Sequence, residues 1–306
     1  MISVNRFLTP TQAKESVRIG DAAFDSELRA CYDDLLVTRG RFHGQSVKAI
    51  ALCGPTCAGK TTTAKKLTKI LEENGKRVHT ISIDDFYYDR ELLKKRSKAG
   101  KIDFDSPDTI DTKELSLTLK EIFDDDENVV EVPTYDFKKG TRGEPRLIPV
   151  DEKDIFIIEG IQVFYPEIYS LLNSFPTKTI YINATRSIQA GSTTFAAVDV
   201  RFFRRLVRDY YRRSASPEFT FELWRSVREN ENDNIFPYVS KADISINSTM
   251  CYEIGMLKPY LLEILPQIPD TSRFYHQAQD ILESISDFTP IDKSFLAPDS
   301  LYHEFV

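Results

Sequence analysis

The chain has 306 residues, 41% of them hydrophobic and 28% charged, with a formal net charge of −7, enough for one sizeable domain or one domain with additions. That acidic balance argues against a broad nucleic-acid or anionic-membrane footprint, so any anionic ligand has to be held by a local basic site. The N-terminus lacks an apolar signal core, no run of eighteen apolar residues occurs, and Cys31, Cys53, Cys57 and Cys251 lack a paired metal spacing; the expectation is a cytoplasmic protein with reduced thiols and no membrane partner.

Residues 1–46 carry no nucleotide motif, and the stretch from Phe24 to Val37 mixes apolar and acidic residues at helical spacing, which predicts a helical N-terminal extension packed on the rest. The apolar run from Val47 to Cys53 predicts a strand, and Thr62 to Leu71 reads as a helix. Between them stands Gly54-Pro55-Thr56-Cys57-Ala58-Gly59-Lys60-Thr61, a match to G-x-x-x-x-G-K-T in the strand–loop–helix context that makes a phosphate-binding loop credible. Gly54 and Gly59 permit a tight turn that aims successive N–H groups and the helix N-terminus at an anion. Gly54 through Thr62 are therefore candidate ATP-binding residues, with Lys60 reaching the β- and γ-phosphates and Thr61 a magnesium ion.

Further strands are predicted at Arg77 to Ile83, Val129 to Val132, Ile155 to Ile158, Lys178 to Ile182 and Ala242 to Ile246, with a helix near Thr112 to Phe123. This alternation predicts an α/β fold with a mainly parallel sheet flanked by helices, and ligands of such sheets bind at the carboxyl ends of the strands. After the second strand, Asp84 and Asp85 suit a base for a hydroxyl nucleophile or a magnesium ligand, and equally a helix N-cap. Glu159, closing the run Ile157-Ile158-Glu159-Gly160, is placed to hold magnesium or is a plain turn acid, and Asp124 to Glu127 read as a solvated turn. Arg201, Arg204, Arg205, Arg208 and Arg212 recur at three- and four-residue spacing. They make either a solvated face paired with acids or, beside a phosphate loop, a lid that neutralises a transferring phosphoryl group.

The collinear segments GPTCAGKTT, SIDDFYYDRE, DFDSPDTID, VPTYDFKKGTR, IIEGI, RFFRRLVRDYYRR, SPEFTFELWRSVRENENDNIFPY and PIDKSFLAPDSLYHEF resemble the uridine kinase and phosphoribulokinase family of P-loop kinases, over about residues 45–306. The likeness is strongest to the kinase part of bacterial nucleoside kinases that carry an N-terminal TGS domain, although no TGS module is evident here. The resemblance implies a P-loop NTPase fold at residues 47–306, with an arginine-rich lid at about 184–217 and a helical C-terminal segment at about 251–306.

By position it assigns Asp84 as the base for the acceptor hydroxyl, with Tyr87 beside the substrate, Asp105 on the ribose hydroxyls and Tyr135 on the base. Glu159 becomes the magnesium-associated glutamate, joined by Thr61 and Asp84, while Arg205, Arg208 and Arg213 face the lid or the substrate. Lys138, Lys139 and Arg142 flank the same substrate loop, and Trp224 is a packing residue for substrate or core.

Three positions depart from the family pattern: Gly140 replaces a base-contacting histidine, Ala215 replaces a lid arginine, and Thr185 to Val200 is longer than the usual lead into the lid. The function implied is ATP- and magnesium-dependent transfer of the γ-phosphoryl group to a small hydroxylated substrate, foremost the 5′-hydroxyl of a nucleoside. The alternatives are a kinase of another polyol or sugar phosphate and a nucleotide-binding regulatory protein without transfer. No nucleic-acid partner is implied, and a homo-oligomer is compatible with the sequence.

Overall fold

The computed structural model describes residues 1–38, 42–96, 106–123 and 129–306; Asp105 and the acidic run at 124–127 lie outside them. The elements are, in order, β1 (Ile2–Ser3), α1 (Pro10–Ala30), α2 (Tyr32–Leu35), β2 (Ala49–Cys53), α3 (Lys60–Glu73), β3 (Val78–Ser82), α4 (Arg90–Arg96), α5 (Thr112–Phe123), β4 (Val129–Val132), β5 (Tyr135–Asp136), β6 (Thr141–Arg142), β7 (Arg146–Pro149) and β8 (Ile155–Glu159). There follow α6 (Pro166–Leu172), β9 (Thr177–Asn183), β10 (Ile188–Ala190), β11 (Thr193–Phe195), α7 (Ala197–Arg213), α8 (Pro217–Asn234), β12 (Ile244–Asn247), α9 (Glu253–Ile264) and α10 (Tyr275–Ile285).

The apolar runs become a five-stranded sheet, ordered β12-β9-β2-β8-β3, in which every pairing is parallel. Strands buried on both faces need near-continuous apolar sequence, and all five residues of β2 are buried. The two-residue period then divides them: Ile50 and Leu52 join a core with α1, α3, α7, α9 and α10, whereas Ala49, Ala51 and Cys53 join a second core with α5 and α6. Burial pushes the Cys53 thiol pKa up to about 12, and all four cysteines are free thiols.

Three expectations are corrected. Val129–Val132 forms a strand, but it pairs antiparallel with β7, outside the parallel sheet. Its alternating burial leaves one face in water, which suits a hairpin edge. The N-terminal helix begins well before Phe24, because Thr9 and Gln12 form a capping box and Pro10 occupies the first turn; Ala13, Val17, Phe24 and Leu28 then line its buried face. The N-terminal segment is also not purely helical. β1 pairs with β10 and β10 with β11, so the long stretch ahead of α7 is a hairpin tied to the first residues of the chain. Among the described residues no helix is long and apolar enough to cross a membrane.

Candidate active site

Strand register brings the chemistry together. Leu52 of β2 and Ser82 of β3 both pair with Glu159 of β8, so the phosphate loop, Glu159 and the Asp84 turn leave the same carboxyl edge of the sheet. The loop conformation explains its glycines. Gly59 adopts φ +94° at the start of α3, a region that favours glycine. A side chain on Gly54 would stand 2.3 Å from the carbonyl oxygen of Ile182, so that strand-to-loop approach requires none. Lys60 Nζ donates to the carbonyls of Gly54 (2.9 Å) and Pro55 (3.3 Å), lying across the loop rather than in the core. Thr61 is exposed in the first turn of α3, and Thr62 Oγ1 donates to Glu304 Oε2 at 3.3 Å.

Asp84 and Asp85 lie on a 3-10 turn, Ile83–Phe86, and take different partners. Asp84 Oδ1 accepts from Gln162 Nε2 at 2.9 Å, and the same amide nitrogen donates to Tyr87 Oη at 3.2 Å. Asp85 accepts from the Tyr135 backbone N–H at 3.2 Å and lies 3.5 Å from Arg146, so it pins the β5 hairpin. Burial raises the pKa of both Asp85 and Glu159; for Glu159, Lys60 opposes the rise, Asp84 adds to it, and Ser82 Oγ donates at 2.8 Å.

Tyr87, Tyr135 and Phe137 form an aromatic group with ring centroids 5.0–6.0 Å apart. Arg142 pairs with Asp111 at 3.0 Å. Gly140 has φ +72°, and a Cβ there would stand 2.6 Å from Arg90 Nε, so a guanidinium occupies the space a side chain would need.

The arginine helix α7 is buried rather than solvated. Arg201 makes a two-pronged pair with Glu231 (2.6 and 2.7 Å) and also donates to the Thr56 carbonyl at 3.2 Å. Arg204 is fully buried and uses all its donors: two on Glu253, two on the Ser248 hydroxyl and carbonyl, and one on the Cys57 carbonyl. In a trans peptide the N–H points opposite the preceding C=O. Holding the Thr56 carbonyl outward therefore turns the Cys57 N–H toward the other side of the loop. Arg205, Arg208 and Arg213 converge on Asp209, and Arg208 Nη1 also lies 3.4 Å from Thr56 Oγ1. Trp224 packs on Phe202 and under Arg201, on the core side of the helix.

Thus Gly54–Thr62, Asp84, Tyr87, Tyr135 and Glu159 gather at one edge of the sheet, Arg208 reaches the loop through Thr56, Arg205 pairs with Asp209 on the same helix, Arg142 stands on the adjoining hairpin, and Arg213 is largely exposed at the end of α7. Sequence reasoning gave no role to Gln162 or Glu253, nor to Glu231 and the tail within the segments that carry the resemblance. Leu301 packs on Gly59, Tyr302 Oη donates to Glu253, and Arg212 reaches the Val306 carbonyl at 3.0 Å. A polar residue in an otherwise apolar stretch, as at Gln162 and Glu253, was the available signal.

Among the described residues no group of three or more His, Cys, Asp or Glu is arranged to hold a metal by itself. Magnesium takes only one or two protein oxygens and completes its octahedron with phosphates and water, so a hydroxyl and a strand-end carboxylate are the donor types it uses. Thr61, Glu159 and Asp84 are the residues available to it here.

A phosphate loop after the middle strand of a parallel sheet, with acids on the neighbouring strand ends, defines a P-loop phosphotransferase. Residues 49–255 match the Phosphoribulokinase / Uridine kinase family, and the chain belongs to that family. It is 30% identical over 206 residues to Uridine-cytidine kinase B of Dictyostelium discoideum, covering 67% of this chain and 76% of that one. To the Uridine kinase of Macrococcus caseolyticus (strain JCSC5402) it is 32% identical over 198 residues, 64% of this chain and 86% of the relative. The solved structure of the YGR205w protein superposes with a TM-score of 0.52 at 20% identity, over 76% of this chain and 94% of that one, a likeness of fold. The chain is an ATP-dependent kinase of this family.

Proposed function

We propose that this kinase transfers the γ-phosphoryl group of ATP to the 5′-hydroxyl of a nucleoside. The observation that carries the reading is Asp84, fixed by an amide beside Tyr87 on the strand edge that also bears the phosphate loop. The names of the two curated relatives support a nucleoside as the acceptor. In this reading the loop amides and Lys60 hold the β- and γ-phosphates, Asp84 receives the proton of the acceptor hydroxyl, and Tyr87 and Tyr135 flank the nucleoside. Arg205 and Arg208 offset charge as the phosphoryl group moves. Thr61 and Glu159, with Asp84, are the residues that would hold a magnesium ion, which when bound would neutralise phosphate charge. Most of the acceleration then comes from positioning and electrostatics. Residues 47–306 form the catalytic unit, with 184–217 as the lid segment and 1–46 as an accessory.

The test is ADP formation over uridine, cytidine, adenosine, guanosine, inosine, their 2′-deoxy forms and several polyols and sugar phosphates. Turnover that requires a nucleoside supports the reading. Turnover with no acceptor dependence would leave only a nucleotide-binding protein. A sugar phosphate is the second reading, favoured by Arg90 over Gly140 and by Arg142 on the same hairpin, and exclusive turnover of such a substrate would establish it.

Three variant results follow from the geometry. Asp84→Asn slows transfer by roughly 10²-fold, the scale of a positioned general base, with a smaller effect on ATP binding. Asp85→Asn retains most activity, because an amide oxygen still accepts from Tyr135; equal losses in steady-state assays at both positions would reverse the assignment. Arg208→Ala lowers kcat more than it raises the KM for ATP, since its charge matters most as the γ-phosphoryl group departs. A KM effect at unchanged kcat would move Arg208 to ground-state binding.

A further inference from the structure

Gln162 lies in the 3-10 turn Ile161–Phe164 that follows β8, beside Val163 and Phe164, which are fully buried. It is itself only 1% exposed. Its amide nitrogen bridges Asp84 Oδ1 and Tyr87 Oη, at 2.9 and 3.2 Å. Its other end is unusual: Oε1 is buried with no hydrogen-bond partner. The orientation is fixed by charge complementarity, because reversing the amide would set its oxygen against a carboxylate oxygen, acceptor to acceptor. The backbone makes room for this arrangement, since a Cβ on Gly160 would stand 2.7 Å from Gln162 Oε1. A leucine of nearly the same volume would suit this apolar turn and leave no orphaned oxygen, so an unsatisfied amide here calls for a functional explanation.

We propose that Gln162 is a positioning residue for phosphoryl transfer. Its amide holds the Asp84 carboxylate and the Tyr87 hydroxyl in one fixed relation, so that the group receiving the acceptor proton and the ring beside the acceptor cannot turn independently. The inference rests on the reading of Asp84 as the base. It acts through Asp84 and Tyr87 and requires no contact between Gln162 and the substrate.

The test compares wild type, Gln162→Leu and Gln162→Glu in the full chain. Wild type is assayed first; absence of acceptor-dependent turnover there overturns the kinase reading, and Gln162 is then judged from crystal structures alone. With turnover present, Gln162→Leu is expected to lower kcat by roughly 10–10²-fold, the scale of a reacting group displaced by about 1 Å. Its KM for ATP stays within about two-fold, the mark of an interaction that does not serve ground-state nucleotide binding. Its Tm equals or exceeds that of wild type, because the orphaned oxygen is gone. Gln162→Glu, which matches the amide in shape but faces Asp84 with acceptors, is expected to lose more activity than Gln162→Leu. A residue that only fills space would give the reverse order, with the isosteric variant near wild type. The inference is overturned if Gln162→Leu keeps wild-type kcat, if its kcat falls only in step with a lowered Tm and a raised KM for ATP, or if Gln162→Glu is the more active of the two. Crystal structures supply the readout independent of turnover: Asp84 and Tyr87 side chains are expected to shift in Gln162→Leu, and their superposition on wild type overturns the proposal.

Discussion

Replacing Lys60 by alanine is expected to abolish acceptor-dependent ADP formation while leaving the fold intact. The half-buried Lys60 ammonium donates to the carbonyls of Gly54 and Pro55 across the loop, so its removal leaves those carbonyls to water rather than unpairing a group of the core. On the catalytic side the loss falls on charge directed at the transferring group. Removing a single preorganised donor of that kind costs roughly 10²–10³-fold in rate, and a full positive charge at the phosphates more. Lys60→Arg is not a rescue, since a planar, broader fork cannot lie across the same two carbonyls as a compact ammonium does. Circular dichroism and Tm at wild-type values, together with turnover at background, are the expected pair of measurements. A folded Lys60→Ala protein with near wild-type kcat would remove the phosphate loop from the mechanism.

What was legible in the chain follows the range of the interactions concerned. The phosphate loop is a local object: strand, turn and helix follow within residues 49–73, and the φ of Gly59 is dictated by its immediate neighbours. Five of the predicted strands entered the parallel sheet; continuous apolar sequence marked its central strands β2, β8 and β9, which are covered on both faces, whereas the edge strands β3 and β12 are only partly buried. β4 was found at its predicted bounds, but its antiparallel partner was not legible, because a four-residue strand gives the same local signal whether its partner is parallel or antiparallel.

The arginine helix shows the same boundary. Its periodicity was visible, but which arginines would be bound to glutamates was not, since Arg201 and Glu231 are 30 residues apart and Arg204 and Glu253 are 49 apart. Gln162 meets Asp84 across 78 residues, and Leu301 covers Gly59 from the far end of the chain. Contacts of that span depend on the closed fold, and no window of sequence contains both partners.

Glu253 is expected to produce the largest loss of stability of any single substitution in the site. Glu253→Met leaves the Arg204 guanidinium without its counter-charge in a fully buried position, whereas burial alone already works against that charge and Glu253 and Tyr302 are what raise the Arg204 pKa above the ordinary arginine value. Removing one partner of a buried pair costs about 3–5 kcal/mol. At about 2 °C per kcal/mol for a chain of this size, Tm falls by roughly 6–10 °C. Removing both charges, as Arg204→Met with Glu253→Met, should restore much of that loss, because apolar side chains of similar volume often replace a buried pair at little net cost. Recovery remains partial, since the Cys57 and Ser248 carbonyls and the Tyr302 hydroxyl lose their partners, each at about 1–3 kcal/mol if left unpaired. Activity should not follow stability. Without Arg204 the Cys57 carbonyl loses its outward tether, and a loosened phosphate loop is expected to raise the KM for ATP about ten-fold, equivalent to about 1.4 kcal/mol. Differential scanning calorimetry and steady-state kinetics on both variants separate the two effects. A double variant as active as wild type would show that the guanidinium serves the core alone, and a double variant as unstable as Glu253→Met would show that the tethered carbonyls, rather than the paired charges, dominate its contribution.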